Sequence, residues 1–401
     1  MIRFLRLAFF LFAVTILFFS CNQDPTSVGS ELISQNEKIA FQELDSYQSN
    51  VFQKSVNYQD KFKFGLSNVV LMGKNSFAES SILMRYRFYL PDSLLAYVTT
   101  GKYVVKSATM TMIPRYVLGD KSAPLDFSVY QVRSDWSPNG FDRDSIPRLT
   151  YDATDVSSGT TINDTLVKFN LRTDVVTQWL KFLADTNSTS VPKNFGLLIK
   201  PKLSTQKIVG FYTADASSST NETVLKVELE RPSIRTDTVN ISPLFHIYYL
   251  TGQAPQQVNN LTFQGGIGLK GTVFFNLNTL PKNIIVNKAY LEMNVDTTST
   301  FDGNPSSDSL FAQILADSTT RKLTRDSTVV TILAKKDKIY TGDIAWMVQK
   351  WQNGESNQGI LLSLWDEYAT AARIAFFGSQ NPNKALRPKL KIIYMQKKIA
   401  K

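Results

Sequence analysis

Apolar and polar residues alternate with a period of two along much of this chain. The alternation is clearest over Leu83–Tyr89, Ser107–Met112 and Leu390–Tyr394. A period of two is typical of a strand with one buried face, and clusters of Gly, Pro, Asn, Asp and Ser separate these stretches as turns would. Strand-like segments recur along the whole chain without the strand–helix–strand alternation of a parallel sheet. The pattern therefore predicts an all-β fold of antiparallel β-sandwiches or jelly rolls.

Two windows depart from this alternation and carry apolar residues at the i, i+3, i+4, i+7 spacing of a helix. The first window follows Thr173, a good N-cap residue, and the second is ended by Asn353-Gly354. The apolar positions are Val176, Trp179, Leu180 and Leu183 in the first window and Ile344, Met347, Val348 and Trp351 in the second. Each window predicts one short amphipathic helix that fills a sandwich.

The chain also resembles itself at four places in constant order. The matching segments are Val105–Met112 with Val286–Met293, Asp174–Trp179 with Trp346–Trp351, Asn194–Ile199 with Asn357–Leu362, and Pro243–Tyr248 with Pro388–Tyr394. The separation of the matching segments falls from 181 residues for the first pair to 145 for the last. This order predicts one duplicated domain with longer loops in its first copy. We place the two tandem sandwich domains at 41–252 and 258–396.

The order of motifs within each copy resembles a known family. A strand, a Trp-bearing loop, a helix ending in Trp, an Asn-x-Gly turn, a strand bearing Phe211 or Phe376-Phe377, and a final Tyr strand follow one another. This order is similar to the DNRLRE-type β-sandwich domains of secreted bacterial and archaeal proteins. The resemblance implies a carbohydrate-binding or surface-matrix module. The first copy departs from the family pattern by an insertion over 217–237.

The N-terminus has the features of a secretory signal. Residues 1–20 carry Arg3 and Arg6 before an apolar run, and Cys21, the chain's one cysteine, follows Ser20. This end resembles a bacterial lipobox, which implies that the Cys21 sulfur receives diacylglycerol. The alternative is an ordinary signal peptide followed by a chance cysteine. Residues 21–40 read as a flexible tether, and their start resembles uncharacterised Gram-negative lipoproteins, so we expect a lipid-anchored protein of the bacterial outer membrane.

The composition excludes several kinds of catalytic site. With one His and one Cys, disulfides, Cys/His zinc sites and Cys-His catalysis largely drop out. The lone histidine, His246, shares a strand face with Leu244 and Tyr248, which is typical of a structural residue. We therefore expect a protein that is not an enzyme, with a polysaccharide lyase or hydrolase built on carboxylates or Tyr/Lys as an alternative.

One loop carries oxygen side chains at alternating positions around a glycine turn. These are Asp135, Asn139, Asp142 and Asp144. Such spacing favours calcium, which prefers oxygen ligands, although Pro138 and Arg143 interrupt it and no Glu closes it. The alternative is a turn whose Asp and Asn side chains cap their own backbone. We expect no other cofactor.

The second copy carries the candidate binding surface. Trp365, Asp366, Glu367 and Tyr368 lie between two apolar strands, so the pattern predicts a hairpin tip that could stack sugar rings and accept hydrogen bonds from hydroxyls. Residues 258–401 hold 18 Lys/Arg against 11 Asp/Glu, a net charge of +7, through groups such as Lys335, Lys336 and Lys338 and a basic tail at 397–401.

This charge favours an anionic partner, above all an acidic polysaccharide. Envelope proteins are the other candidate partners beside the membrane itself, and we expect no nucleic-acid partner because no known binding module is present. The alternative to glycan binding is a structural or assembly subunit of the outer membrane.

Short triplets of Asp, Ser or Thr, and an aliphatic residue or Thr are frequent. They begin at Asp92, Asp144, Asp164, Asp237, Asp296, Asp308, Asp317 and Asp326. They resemble an O-glycosylation sequon of Gram-negative envelope proteins. The alternative, a turn Asp followed by a β-prone residue, is the interpretation that we favour.

Replacing the predicted lipidation site tests the anchor. Cys21→Ala is expected to leave the protein unprocessed or released, since acylation is the retention device that the sequence provides. Fractionation of cells into membrane and soluble material measures this. A variant that loses its signal peptide and still partitions with membranes would contradict the lipoprotein interpretation.

Overall fold

A computed structural model describes residues 40–213, 223–252, 254–255, 259–325 and 329–396. The signal peptide, Cys21, the tether and the basic tail lie outside these ranges. The described chain is mostly β, with antiparallel sheets, which confirms the predicted all-β class. No helix in these ranges combines the length and the apolar character needed to cross a membrane.

The first strands are β1 (Gln42–Asp45), β2 (Gln53–Gln59), β3 (Val69–Lys74), β4 (Ala78–Tyr86), β5 (Val104–Met112), β6 (Pro114–Leu118), β7 (Phe127–Gln131), β8 (Ser157–Asn163), β9 (Leu166–Leu171), β10 (Leu197–Pro201), β11 (Ile208–Tyr212), β12 (Val224–Arg231), β13 (Arg235–Ile241) and β14 (Pro243–Gly252).

The later strands are β15 (Asn260–Gln264), β16 (Leu269–Phe275), β17 (Ile284–Asn294), β18 (Ser309–Asp317), β19 (Lys322–Leu323), β20 (Thr331–Lys336), β21 (Ile339–Asp343), β22 (Ile360–Leu364), β23 (Arg373–Phe377) and β24 (Lys389–Gln396). The α-helices are α1 (Asp92–Thr99), α2 (Thr173–Ala184) and α3 (Ala345–Gln352), and 3-10 turns cover Phe64–Leu66, Arg143–Arg148 and Lys384–Leu386.

These strands form three antiparallel sheets. One has the order β6-β11-β3-β4-β10-β7, with β14 on the other edge of β4, and a second has the order β13-β12-β5-β9-β8. The third has the order β1-β24-β17-β21-β20-β18-β22-β16-β15-β23, with β2 paired to β16 and β19 to β18. We call 61–252 the first half and 259–396 the second half.

The two predicted helices form where the spacing placed them. In α2 the residues Val176, Trp179 and Leu180 are buried, and in α3 Met347, Val348 and Trp351 are. The sequence predicted one helix per copy, and here it was incomplete: the first half also contains α1, which buries Leu94 and Val98 and contacts α2. Two buried positions in eight residues are too few for the spacing of a helix to stand out.

The Asn-x-Gly turns are built alike in both halves. The Asn194 amide donates to the Tyr86 carbonyl at 2.8 Å and its oxygen accepts from the Gly196 amide at 3.0 Å. Asn357 makes the same pair of bonds, to Phe275 and Gly359, at 2.8 and 3.1 Å. Both glycines have positive φ, 87° and 92°, a region that a Cβ atom disfavours.

The order in which strands pair in the first half recurs in the second half. The recurrence includes two edge strands in each case, β13 and β14 in the first half and β1 and β2 in the second. In the first half β13 pairs with β12, and β14 with β4; in the second, β1 pairs with β24, and β2 with β16. The sequence placed residues 41–60 in the first domain, but β1 and β2 lie in the sheet of the second half. The match of Pro243–Tyr248 with Pro388–Tyr394 was also wrong, because by pairing the counterpart of β24 is β12.

A hydrogen-bonded seam joins the two halves. Asn304 and Val117 exchange backbone bonds of 2.8 and 2.9 Å across the edge of β6, and Phe301 and Arg373 exchange bonds of 2.7 and 2.9 Å. The Arg373 guanidinium lies 4.1 Å from the centroid of the Phe77 ring. One stretch of second-half backbone therefore continues the sheets of both halves.

The seam is held closely by aromatic residues of the first half. The Thr370 hydroxyl donates to the Tyr116 hydroxyl at 2.9 Å, and a Cβ on Gly303 would lie 2.2 Å from the Tyr116 ring. Tyr248 is fully buried and donates to the Tyr368 carbonyl at 2.8 Å. The halves thus share a buried contact in which little free volume remains.

The two helical tryptophans are expected to be core residues of equal structural weight. Trp179 is 1% exposed and Trp351 9%, so Trp179→Ala and Trp351→Ala should each lower the free energy of unfolding by about 3–5 kcal/mol. Urea denaturation measures this. Trp365→Ala, at an exposed position, is the control, and a helical variant that cost no more than this control would show that its ring is not part of the core.

Candidate functional site

The hairpin predicted around Trp365 is not formed, because β22 and β23 pair with other strands and not with each other. The four residues instead lie in a loop between these strands, and they do not form one exposed surface. Trp365 is 52% exposed, with its ring centroid 4.3 Å from that of Phe311. Tyr368 instead stacks on Phe62, with the centroids 4.8 Å apart. Trp365 alone of the four is displayed to solvent, because the chain turns back onto the first half directly after it.

The two acids of this loop lie close to Tyr248, at the contact between the two halves, which we call the joint. Asp366 accepts a hydrogen bond from the Ser307 hydroxyl at 2.8 Å, and Glu367 lies 3.4 Å from the Lys270 ammonium. Burial raises the pKa of both carboxyls above their usual values, and Asp302 raises that of Asp366 further. Both acids are desolvated and already paired within the second half, so they do not present free acceptors to a ligand.

The three lysines of the predicted surface have different environments. Lys335 donates to Asp302 at 2.9 Å and to the Ser306 hydroxyl at 3.1 Å. Lys336 and Lys338 are exposed. The ion pair of Lys335 fixes the loop that carries the seam, so its charge is already matched.

The predicted calcium loop has another role. Asp135 pairs with Arg85 at 2.8 Å, and Asp142 accepts from the Asp144 amide at 3.0 Å as the cap of a 3-10 turn. Asn139 and Asp144 are exposed, and the described residues contain no group of three His, Cys, Asp or Glu able to hold a metal. The carboxylates cap and brace the loop, which is the alternative that the sequence left open.

His246 is a structural residue of strand β14. It is 8% exposed, and its Nε2 lies 2.9 Å from the Thr213 hydroxyl and 3.3 Å from the Ser67 carbonyl oxygen. These contacts tie together three segments of the first half.

Turn caps also account for two of the Asp triplets. Asp296 accepts from the amide and the hydroxyl of Thr298, and Asp317 accepts from the amide of Thr319 and the hydroxyl of Thr320. These bonds are those of an Asx turn.

The structure contains a groove that the sequence did not predict. The outer face of strands β2 and β16 forms its floor, where Lys54 lies opposite Phe274 and Val56 opposite Thr272. Phe52 is 64% exposed at one end. The groove has a volume of about 600 Å³, which lies within the range of roughly 300–1,000 Å³ usual for small-molecule sites.

The polar groups of the groove are cationic and amide groups. Arg321 lies in a turn at a φ of 60°, with its guanidinium 4.2 Å from the centroid of the Tyr58 ring. Gln358 is held in place by the Ser318 hydroxyl, which donates to its side-chain oxygen at 3.0 Å. Lys54 is exposed, and the described residues that line the groove include no Asp or Glu. The groove is therefore positively charged.

The same face of the first half is covered by protein. There the pair Ile247–Leu83 occupies the place of Val56–Thr272 by strand pairing. Trp136 and Phe141, from the loop that follows β7, join this pair in a buried apolar cluster. In the second half, the described residues of the corresponding loop, after β18, lie beside this face and leave Val56 exposed, and the groove lies there.

The groove escaped prediction because its two strands are distant in sequence. The alternation Phe52-x-Lys54-x-Val56-x-Tyr58 was a signal for a strand with an amphipathic outer face. Its partner strand lies more than 200 residues away, and no local pattern specifies such a pairing.

Comparisons with protein-family models and with curated proteins find no match for this chain. The resemblance to DNRLRE-type domains thus stays a prediction.

The raised pKa of Asp366 predicts how stability depends on pH. The folded state binds the Asp366 proton more tightly than the unfolded state does. The free energy of unfolding therefore falls as the pH rises above the usual pKa of an Asp carboxyl. Asp366→Asn is expected to raise the melting temperature at pH 7 by about 2 °C and to have little effect at pH 3.5. Thermal melts at the two pH values measure this. The prediction is wrong if the variant's gain in melting temperature over the native chain is smaller at pH 7 than at pH 3.5.

Proposed function

We propose that this chain is a non-catalytic, lipid-anchored protein of the bacterial envelope that binds an acidic polysaccharide. The observation that carries the proposal is the groove on β2 and β16. It combines exposed aromatic rings, a fixed amide and two cations on a face that the first half closes with its own side chains.

The side chains of the groove suit the chemistry of an anionic sugar chain. Phe52 and Phe274 offer ring faces for the C–H surface of a pyranose. Arg321 carries a planar fork of donors that matches a carboxylate or sulfate, and stacking on Tyr58 restricts its motion, so less entropy is lost on binding. Lys54 adds a second positive charge. Charge attracts the polymer, and ring contacts select its shape.

The groove supports binding better than hydrolysis or elimination. Glycoside hydrolysis generally needs two carboxyl groups that flank the scissile bond, and the described lining residues include none. The remaining alternative, a structural subunit of the outer membrane, requires no open groove, and the test below separates it from glycan binding.

We also propose that the chain is a duplicated β-sandwich in which each copy is completed by two strands from the other: β1 and β2 precede the first half but pair with the second, and β13 and β14 pair with the first. The recurrence of the pairings supports this, since β1–β2 take the places in the second half that β13–β14 take in the first. The exchange bears on function, because Phe52, Lys54 and Val56 come from β2. Residues 258–401 by themselves contain only part of the groove.

Affinity electrophoresis of the full mature chain tests the binding site. Polygalacturonate in the gel is expected to retard the native protein, less so at 0.5 M salt because exposed charges are screened. The double variant Phe52→Ala, Arg321→Ala should bind about tenfold more weakly, since it loses one stacking contact and one charge-assisted bond. Both side chains are at the surface, so the fold should be kept.

Matched variants show where binding occurs. Lys336→Ala removes an exposed charge outside the groove, and Trp365→Ala removes the exposed ring at the opposite end of β22; both should bind as the native chain does. If Trp365→Ala abolishes retardation and the groove variant does not, the site is at the loop that carries Trp365. If the native chain runs unretarded on every acidic glycan tried, the structural-subunit alternative replaces this proposal.

A further inference from the structure

The first half contains a second concave site, separate from the groove. It lies between the edge strand β6 and the turn that joins β8 to β9, and Asn304 from the seam closes one side. Its volume is about 220 Å³, equal to about seven water molecules at roughly 30 Å³ each. The buried side chains of Leu125, Val167 and Val209 form an apolar floor.

A buried lysine reaches this cleft. Lys207 lines it and is 8% exposed, and its ammonium donates to the Lys121 carbonyl oxygen at 2.5 Å. In the described part of the chain the Lys207 ammonium makes this one hydrogen bond, and its other protons have no protein acceptor. Asp164 at the rim is exposed, and the exposed carboxylate of Asp120 in the next turn interacts electrostatically with the Lys207 ammonium, although it does not hydrogen-bond to it. A buried charge of this kind is costly unless an anion compensates for it.

We propose that this cleft binds a medium-chain carboxylate, with the carboxylate on the Lys207 ammonium and the hydrocarbon on the apolar floor. A monoanion matches one buried ammonium, and a carboxylate can accept the protons that Lys207 leaves free. The apolar floor contributes through burial of hydrocarbon, at about 25 cal/mol for each Å² removed from water. A ligand of about ten non-hydrogen atoms, such as octanoate, suits a volume of seven waters.

The position of the cleft adds a measurable consequence. Val117 lines the cleft and exchanges backbone bonds with Asn304, so an occupant contacts the seam that joins the two halves. Binding to the folded chain alone raises its melting temperature by mass action. This site is independent of the groove, and loss of polygalacturonate binding would leave it unaffected.

Thermal melts and calorimetry on the full mature chain test the proposal with octanoate as the probe. Octanoate at millimolar concentration is expected to raise the melting temperature, whereas acetate, which lacks the hydrocarbon, and 1-octanol, which lacks the charge, should do so much less. Lys207→Met keeps the length of the side chain and removes the charge, and it should weaken octanoate binding at least about tenfold. Lys193→Met, at an exposed lysine of the same half, should bind normally.

A second variant covers the case in which Lys207→Met fails to fold. Ile162→Glu places a carboxylate at the half-buried wall of the cleft and should also abolish octanoate binding. The proposal is overturned if octanoate leaves the native melting temperature unchanged, if acetate or 1-octanol acts as strongly as octanoate, or if a folded Lys207→Met or Ile162→Glu binds octanoate as the native chain does.

Discussion

The pairing of the two N-terminal strands with the C-terminal half is the constraint on which the rest of the structure depends. An uncovered strand edge presents unpaired amides and carbonyls, and proteins cover or blunt such edges. Strands β1 and β2 cover the edges of β24 and β16, and by doing so they bring residues 42–59 into one sheet with residues more than 200 positions away. The groove exists because β2 lies there.

The joint between the halves shows how ionisable residues can serve structure. The loop that follows Trp365 places Asp366 and Glu367 near Tyr248 of the first half, and both acids are paired within the second half, with Ser307 and Lys270. Tyr248 reaches the same backbone from the other side. Buried carboxylates lower stability unless they are bonded, so these partners reduce a cost that a purely apolar joint would not carry. The hydrogen bonds that cross between the halves here are those of Tyr248 with the Tyr368 carbonyl and of Thr370 with Tyr116.

The two halves share one pattern of strand pairing, but the corresponding outer face is buried in the first half and forms a groove in the second, because their loops differ. The loop after β7 is long enough to bring Trp136 and Phe141 onto the outer face of its sheet, whereas the described residues of the loop after β18 leave Val56 exposed on the corresponding face. Loops tolerate changes of length better than strands do, and binding sites arise on them for that reason. In the proposed function the first half keeps this face covered, and β2 together with the second half provides the binding face.

The sequence by itself determined the strand class, the two helices that contain Trp179 and Trp351, and the Asn-x-Gly turns, because local periodicity and backbone conformation decide these features. It did not determine that 42–59 join the second half, since a period of two tells which face of a strand is buried and not which strand is its neighbour. Tertiary packing also decided that Asp366 faces the joint and Lys54 the groove: main-chain pairing is nearly independent of side-chain identity, and only the assembled sheets settle which polar residues meet.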